Sequence, residues 1–176
     1  RGGLRMASKS VFLWFVRCGV VCVVAIGNDG SNRVPSPASA DEAITIGSVD
    51  DRNTVERGDD IISGFSNYGP RQDDGDDDSW DEEKPDITSY GTDITSATYA
   101  NTFSTPFPGG GGSNLADDGY DSKDGTSMAT PIASGVVAMM LEADPTLTPR
   151  QVKDILRNSA ETRGGPTNSG SCLLYT

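Results

Sequence analysis

Ser127 lies in Gly125-Thr126-Ser127-Met128-Ala129-Thr130-Pro131, directly ahead of a long apolar run. A glycine at this place lets the backbone turn tightly, so the serine is delivered at the start of a helix. The first N–H groups of a helix have no intrahelical partner, and the macrodipole is positive at that end. A hydroxyl beside such donors suits acyl transfer, because the tetrahedral intermediate carries an anionic oxygen that they would hold. Serine is also a common N-cap, and the residues alone leave that plain structural role open. The chain contains no histidine, the usual general base near neutral pH.

The elements that position Ser127 can be read from periodicity. Residues 127–141 are apolar all round, which predicts a helix enclosed by protein, with Pro131 in its first turn. Thr148-Pro149-Arg150-Gln151 reads as a capping box for a second helix reaching about Ala160, with Val152, Ile155 and Leu156 on one face. Residues 6–17 predict an earlier helix, its apolar face supplied by Met6, Val11, Leu13, Trp14 and Phe15. Residues 20–26 form a continuous apolar run, as in a parallel strand buried on both faces. Gly27-Asn28-Asp29-Gly30 stops that run at the strand's C-terminal end, where open α/β sheets build their sites. Short strands are expected over residues 43–49, 61–65, 86–88 and 94–95. Residues 98–123, with Gly109 to Gly112, read as a long surface loop. No pattern is visible beyond Gly164.

Composition narrows the partners. The net charge is −12, and residues 73–83 hold eight of the acidic side chains. Such a surface repels nucleic acid and anionic membrane. The apolar stretch 11–26 has 16 residues, interrupted by Arg17 and Gly19, too short and too broken to span a bilayer. No targeting signal is visible. Cys18, Cys22 and Cys172 are an odd number without CxxC spacing and read as small buried thiols. The acidic residues 73–83 could ligate calcium but fail EF-hand spacing, and a solvated acidic loop is the simpler reading. The glycine run has no following Lys and Ser/Thr, so it is not a phosphate loop.

Residues 125–131, continued by Ile132-Ala133-Ser134-Gly135, resemble the serine motif of the subtilisin family of serine proteases (subtilases, peptidase S8). Residues 23–30 resemble the family's strand ending in the oxyanion-hole asparagine. Phe65-Ser66-Asn67-Tyr68-Gly69 and Lys84-Pro85-Asp86-Ile87 resemble two further segments in the family's order. Pro145-Thr146-Leu147-Thr148, leading to Val152 and Leu156, resembles the helix that follows the serine helix. The resemblance covers about residues 6–162.

That resemblance implies an α/β, subtilisin-like fold, a mostly parallel sheet flanked by helices, of which this chain is the C-terminal part. Residues 1–163 would be a partial catalytic domain with an acidic insertion at 71–84 and the Gly-rich loop at 98–123, and residues 164–176 an unassigned tail. It implies peptide-bond hydrolysis, with Ser127 as nucleophile, Asn28 as oxyanion donor, Thr126 as a secondary contributor, and Ala25, Ile26 and Gly27 on one wall of the substrate pocket. Ile26 is bulkier than the residue usual there, and Tyr90 replaces a proline. The chemistry would need no cofactor, although subtilases often bind structural calcium. Partners would be a protein or peptide substrate and an upstream segment supplying the triad Asp and His, with an extracellular or cell-surface location. Without those two residues the chain alone is expected to be inactive: in a subtilisin, losing the serine or histidine costs about 10⁶ in turnover. A peptide-binding pseudoenzyme on the same scaffold and a non-catalytic acidic calcium-binding protein are the alternatives.

Overall fold

The computed structural model describes residues 11–72, 82–97, 120–162 and 172–173. Its main sheet has the order β1 (Val23–Ala25), β2 (Ile44–Asp50), β4 (Ile87–Tyr90), β8 (Cys172–Leu173) and β7 (Glu161–Thr162), with β3 (Ile61–Ile62) branching from β2. Strands β1, β2, β4 and β8 run parallel, whereas β3 and β7 run antiparallel to their neighbours. A two-stranded antiparallel ribbon pairs β5 (Ile94–Ala97) with β6 (Tyr120–Lys123). Residues 11–17 form α1.

Helix α2 (Thr126–Ala143) packs across β1, β2 and β4. Ala129, Ala133 and Val137 recur on one stripe, and their small side chains let the helix settle on Ile44, Ile46 and Ile87. Val152 and Leu156 of α3 (Pro149–Ser159) complete this core. The capping box forms as expected: Thr148 Oγ1 accepts from Gln151 N at 3.3 Å, and Gln151 Oε1 accepts from Thr148 N at 2.9 Å.

Several expectations change. The strand over residues 20–26 shrinks to the three residues of β1, which are only half-buried, because β1 is the edge of the described sheet and pairs with β2 alone. Among the described residues helix α2 is not enclosed. Its buried residues are Thr126, Ala129, Ala133 and Val137, while Ile132 and Met139 are 37% and 57% exposed. The described elements cover one side of the helix, and the other side is apolar without cover among them. Pro131 falls after the first turn. It has no N–H for the Ser127 carbonyl four residues earlier, which loses its ordinary helical bond.

On α3 the inward residue beside Val152 and Leu156 is Lys153, whereas Ile155 is 44% exposed. The Lys153 ammonium lies 2.8 Å from the Asp41 carbonyl and 3.1 Å from Asp86 Oδ1. Asp86 Oδ2 accepts from Lys84 Nζ at 2.9 Å and from Thr45 N at 2.7 Å. This buried charge cluster fastens α3 to the N-terminal ends of β2 and β4.

In the acidic segment, residues 73–81 lie outside the described residues; at its end Glu82 is buried and Glu83 exposed. Arg71 N donates to Glu82 O at 2.9 Å, and the buried Arg71 guanidinium pairs with Glu82 at 3.3 Å and Asp41 at 3.2 Å. Glu83 accepts from Arg157 at 2.8 Å. The loop expected over 98–123 ends early, since residues 120–123 form β6; residues 98–119 lie outside the described residues. Strand β6 is largely exposed and polar, so it carries no apolar alternation to read. The tail at 164–176 contains β8, inserted between β4 and β7. Cys18 is exposed and Cys22 half-buried, both as free thiols, which departs from the expectation of buried cysteines; the Cys172 side chain lies outside the description. Among the described residues no helix is long and apolar enough to cross a membrane.

Candidate active site

Strands β1 and β4 end on the same side of the sheet, and the chain after each end meets the start of α2. Gly91, following β4, accepts from Gly125 N at 2.7 Å. A Cβ on Gly91 would overlap the Ser48 hydroxyl and come within 2.7 Å of Gly125 O. The contact is therefore open only to glycine. Beneath it, Ser48 Oγ and Ser63 Oγ are 2.8 Å apart, and Ser63 Oγ lies 3.0 Å from Thr92 Oγ1. Gly125 has φ +153, a conformation that side chains rarely tolerate, and it swings the chain into α2.

Asn28 approaches from the end of β1. Its Oδ1 accepts from Thr126 N at 2.9 Å and from Thr126 Oγ1 at 2.8 Å. A backbone N–H can only donate, so the carboxamide is oriented with its oxygen toward Thr126 and its Nδ2 turned the other way. Thr126 is fully buried and also accepts from Gly27 N at 3.3 Å. The Thr126 hydroxyl is thus committed to the Asn28 loop.

The remaining donors of the first turn divide cleanly. Met128 N and Ala129 N both donate to Gly125 O, at 2.9 and 3.2 Å. Neither Ser127 N nor Asn28 Nδ2 has an acceptor among the described residues. The point where a Cβ of residue 125 would sit is 3.3 Å from Asn28 Nδ2 and 3.7 Å from Ser127 N. Both uncommitted donors thus lie within 4 Å of that point, which Met128 Sδ also approaches at 3.4 Å, and Ser127 itself is exposed. That arrangement can stabilise an anionic oxygen next to a hydroxyl.

Ser127 also lines a groove of about 620 Å³ between the β5–β6 ribbon and α2. Met128, Pro131 and Ile132 supply an apolar wall, while Asp121 and Lys123 supply charge. Ala25, Ile26 and Gly27 do not line this groove. Ile26 is fully buried, so its side chain offers nothing to an open pocket, and only Ala25 and Gly27 stay half-exposed at the end of β1. Among the described residues no group of three or more His, Cys, Asp or Glu side chains is placed to hold a metal ion.

Asn67, which lies in the segment of family resemblance at residues 65–69, carries no role that its residue type or spacing foretells. It is 1% exposed, and its Oδ1 accepts from Asp29 N at 2.8 Å and Ser31 N at 3.4 Å. Its partners are 38 and 36 residues away, and no local pattern announces such contacts.

The model of the subtilase family matches residues 6–172. The chain is 37% identical over 145 residues to serine protease AprX of Bacillus subtilis, covering 81% of this chain and 30% of that protein. It is 31% identical over 179 residues to the extracellular serine proteinase of Thermus sp. strain Rt41A, covering 99% of this chain and 35% of the relative. The crystal structure of a cold adapted subtilisin-like serine proteinase superimposes with a TM-score of 0.67 at 28% identity, covering 95% of this chain and 49% of that one. The chain thus spans about a third of the length of these two relatives and half of that structure. With a family match over residues 6–172 and an α/β subtilisin-like frame, the chain belongs to the subtilase family.

Proposed function

We propose that Ser127 is the acylating nucleophile of a serine endopeptidase and that Asn28 Nδ2 and Ser127 N–H receive the oxyanion. One observation carries the reading: Asn28 Nδ2 and Ser127 N have no acceptor among the described residues, and both lie within 4 Å of the point where a Cβ on Gly125 would sit. Ser127 Oγ adds to the substrate carbonyl carbon as its proton passes to a base. The carbonyl oxygen takes the negative charge between the two donors, and the amine leaves with that proton to give an acyl-enzyme. Water then releases the acid by the same steps in reverse.

No histidine occurs in these 176 residues, so a histidine and its orienting aspartate would come from chain outside them. Ala25 and Gly27 would offer backbone to the substrate, with Thr126 holding Asn28. Substrates would be proteins or peptides. The protein would act outside the cell, like the extracellular serine proteinase of Thermus sp. strain Rt41A to which it is similar. The absence of histidine also favours a second reading, a scaffold that grips peptides without cutting them.

A fluorophosphonate probe applied to the complete gene product separates the two. Labelling at Ser127, lost in Ser127→Ala and absent from the isolated 176 residues, is the expected result. No labelling of the complete protein would leave the peptide-binding scaffold. Equal labelling of the isolated chain would overturn the requirement for an outside base.

A further inference from the structure

We infer that Asn67 is a positioning residue for the oxyanion site, its buried side chain holding the loop that carries Asn28. The inference rests on the reading of Asn28 as an oxyanion donor. Asn28 is exposed and follows a three-residue edge strand, so the sheet alone does little to fix it. Asn67 clamps the chain on both sides of it. Before Asn28, Asn67 N donates to Gly27 O at 3.0 Å. After it, Asn67 Oδ1 accepts from Asp29 N and Ser31 N. Asn67 Nδ2 reaches Asp29 Oδ2 at 3.5 Å.

The fit is close. A Cβ on Gly27 would lie 2.7 Å from Asn67 Nδ2, and Gly27 has φ +116, so glycine is needed where the amide packs against the loop. Neighbouring backbone continues the same seam, with Gly30 N donating to Phe65 O at 2.8 Å and Tyr68 N to Ser31 O at 3.2 Å. Thr126 aims the Asn28 amide, while Asn67 places the backbone from which that amide hangs. Asparagine suits the second task because one oxygen accepts two N–H groups while the amide nitrogen still donates to Asp29.

The test is a double-mutant cycle in the complete gene product, with kcat, KM and melting temperature measured for each variant. Asn28→Ala should lower kcat by about 10²–10³, the loss known for this donor in a subtilisin. Asn67→Ala should lower kcat about 10–100-fold with KM little changed, as a misplaced catalytic group does. The double variant should match Asn28→Ala alone, since a residue acting only through Asn28 has nothing left to position. Multiplying losses would overturn the inference while leaving the oxyanion reading intact. An Asn28→Ala variant with unchanged kcat would instead overturn the oxyanion reading itself.

Should Asn67→Ala fail to fold, the reciprocal swap answers the question. Asn67→Asp sets a carboxylate against Asp29 and should lower kcat. Adding Asp29→Asn restores one acceptor and one donor and should recover kcat to within about threefold of the parent, roughly 0.7 kcal/mol. A swap no better than Asn67→Asp alone would overturn the inference.

Discussion

Replacing Lys153 with methionine should remove a pH-dependent weakness from the fold. Burial lowers the Lys153 ammonium from 10.5 to about 7, with Asp86 opposing the shift and Lys84 adding to it. In the unfolded chain the same group titrates at its ordinary value. Between those two values the unfolded state binds more protons, so stability rises with pH. The penalty is complete below about pH 7 and fades toward 10.5. At about 1.4 kcal/mol per pH unit, the whole window amounts to about 5 kcal/mol, of which about 3–4 falls between pH 7 and 10. Methionine matches the length of the stem and leaves Asp86 paired with Lys84. Urea unfolding of parent and Lys153→Met from pH 6 to 10 gives the difference directly. The variant's advantage should shrink as pH rises by about the amount given above. A difference that stays constant, or grows, would refute the claim that Lys153 is buried against its charge.

Three further outcomes follow from local geometry. Gly125→Ala would put a methyl group between Asn28 Nδ2 and Ser127 N in a backbone conformation that costs about 1–3 kcal/mol; fluorophosphonate labelling of the complete protein should fall at least as far as in Asn28→Ala. Asp86→Asn removes the one carboxylate shared by Lys84 and Lys153 and should cost about 3–5 kcal/mol in denaturant unfolding. Thr148→Ala removes the α3 cap and should cost about 0.5–2 kcal/mol by the same measurement, with no change in labelling of Ser127.

What could be read from the residues depended on how far their causes reach along the chain. The capping box at Thr148 and Gln151 is closed within four residues, and local chemistry predicted it in full. The apolar stripe of α2 gave the helix, but an all-round apolar surface could not say which side the sheet would take. Lys153 was missed because its counter-charge and carbonyl acceptors lie on other segments, 67 and more than 100 residues earlier. The strand Tyr120–Lys123 was missed because pairing with β5, rather than burial, makes it a strand. At the site, Ser127 and Asn28 were named from motif likeness. The hydroxyl and N–H of Thr126 that orient the Asn28 amide became visible only once the two segments met in space.

The bridge from Arg71 to Glu82 has a practical consequence for engineering. Because Arg71 and Glu82 meet, a segment spliced between them would be closed at its base by contacts already made. Lengthening a closed loop costs only about 0.6 kcal/mol per doubling. Arg71 and Glu82 meet Asp41, which lies just ahead of β2, whereas α2 and Ser127 follow the opposite ends of the strands. A peptide tag or a small folded guest inserted between those two residues would be anchored at the end of the strands away from α2's start.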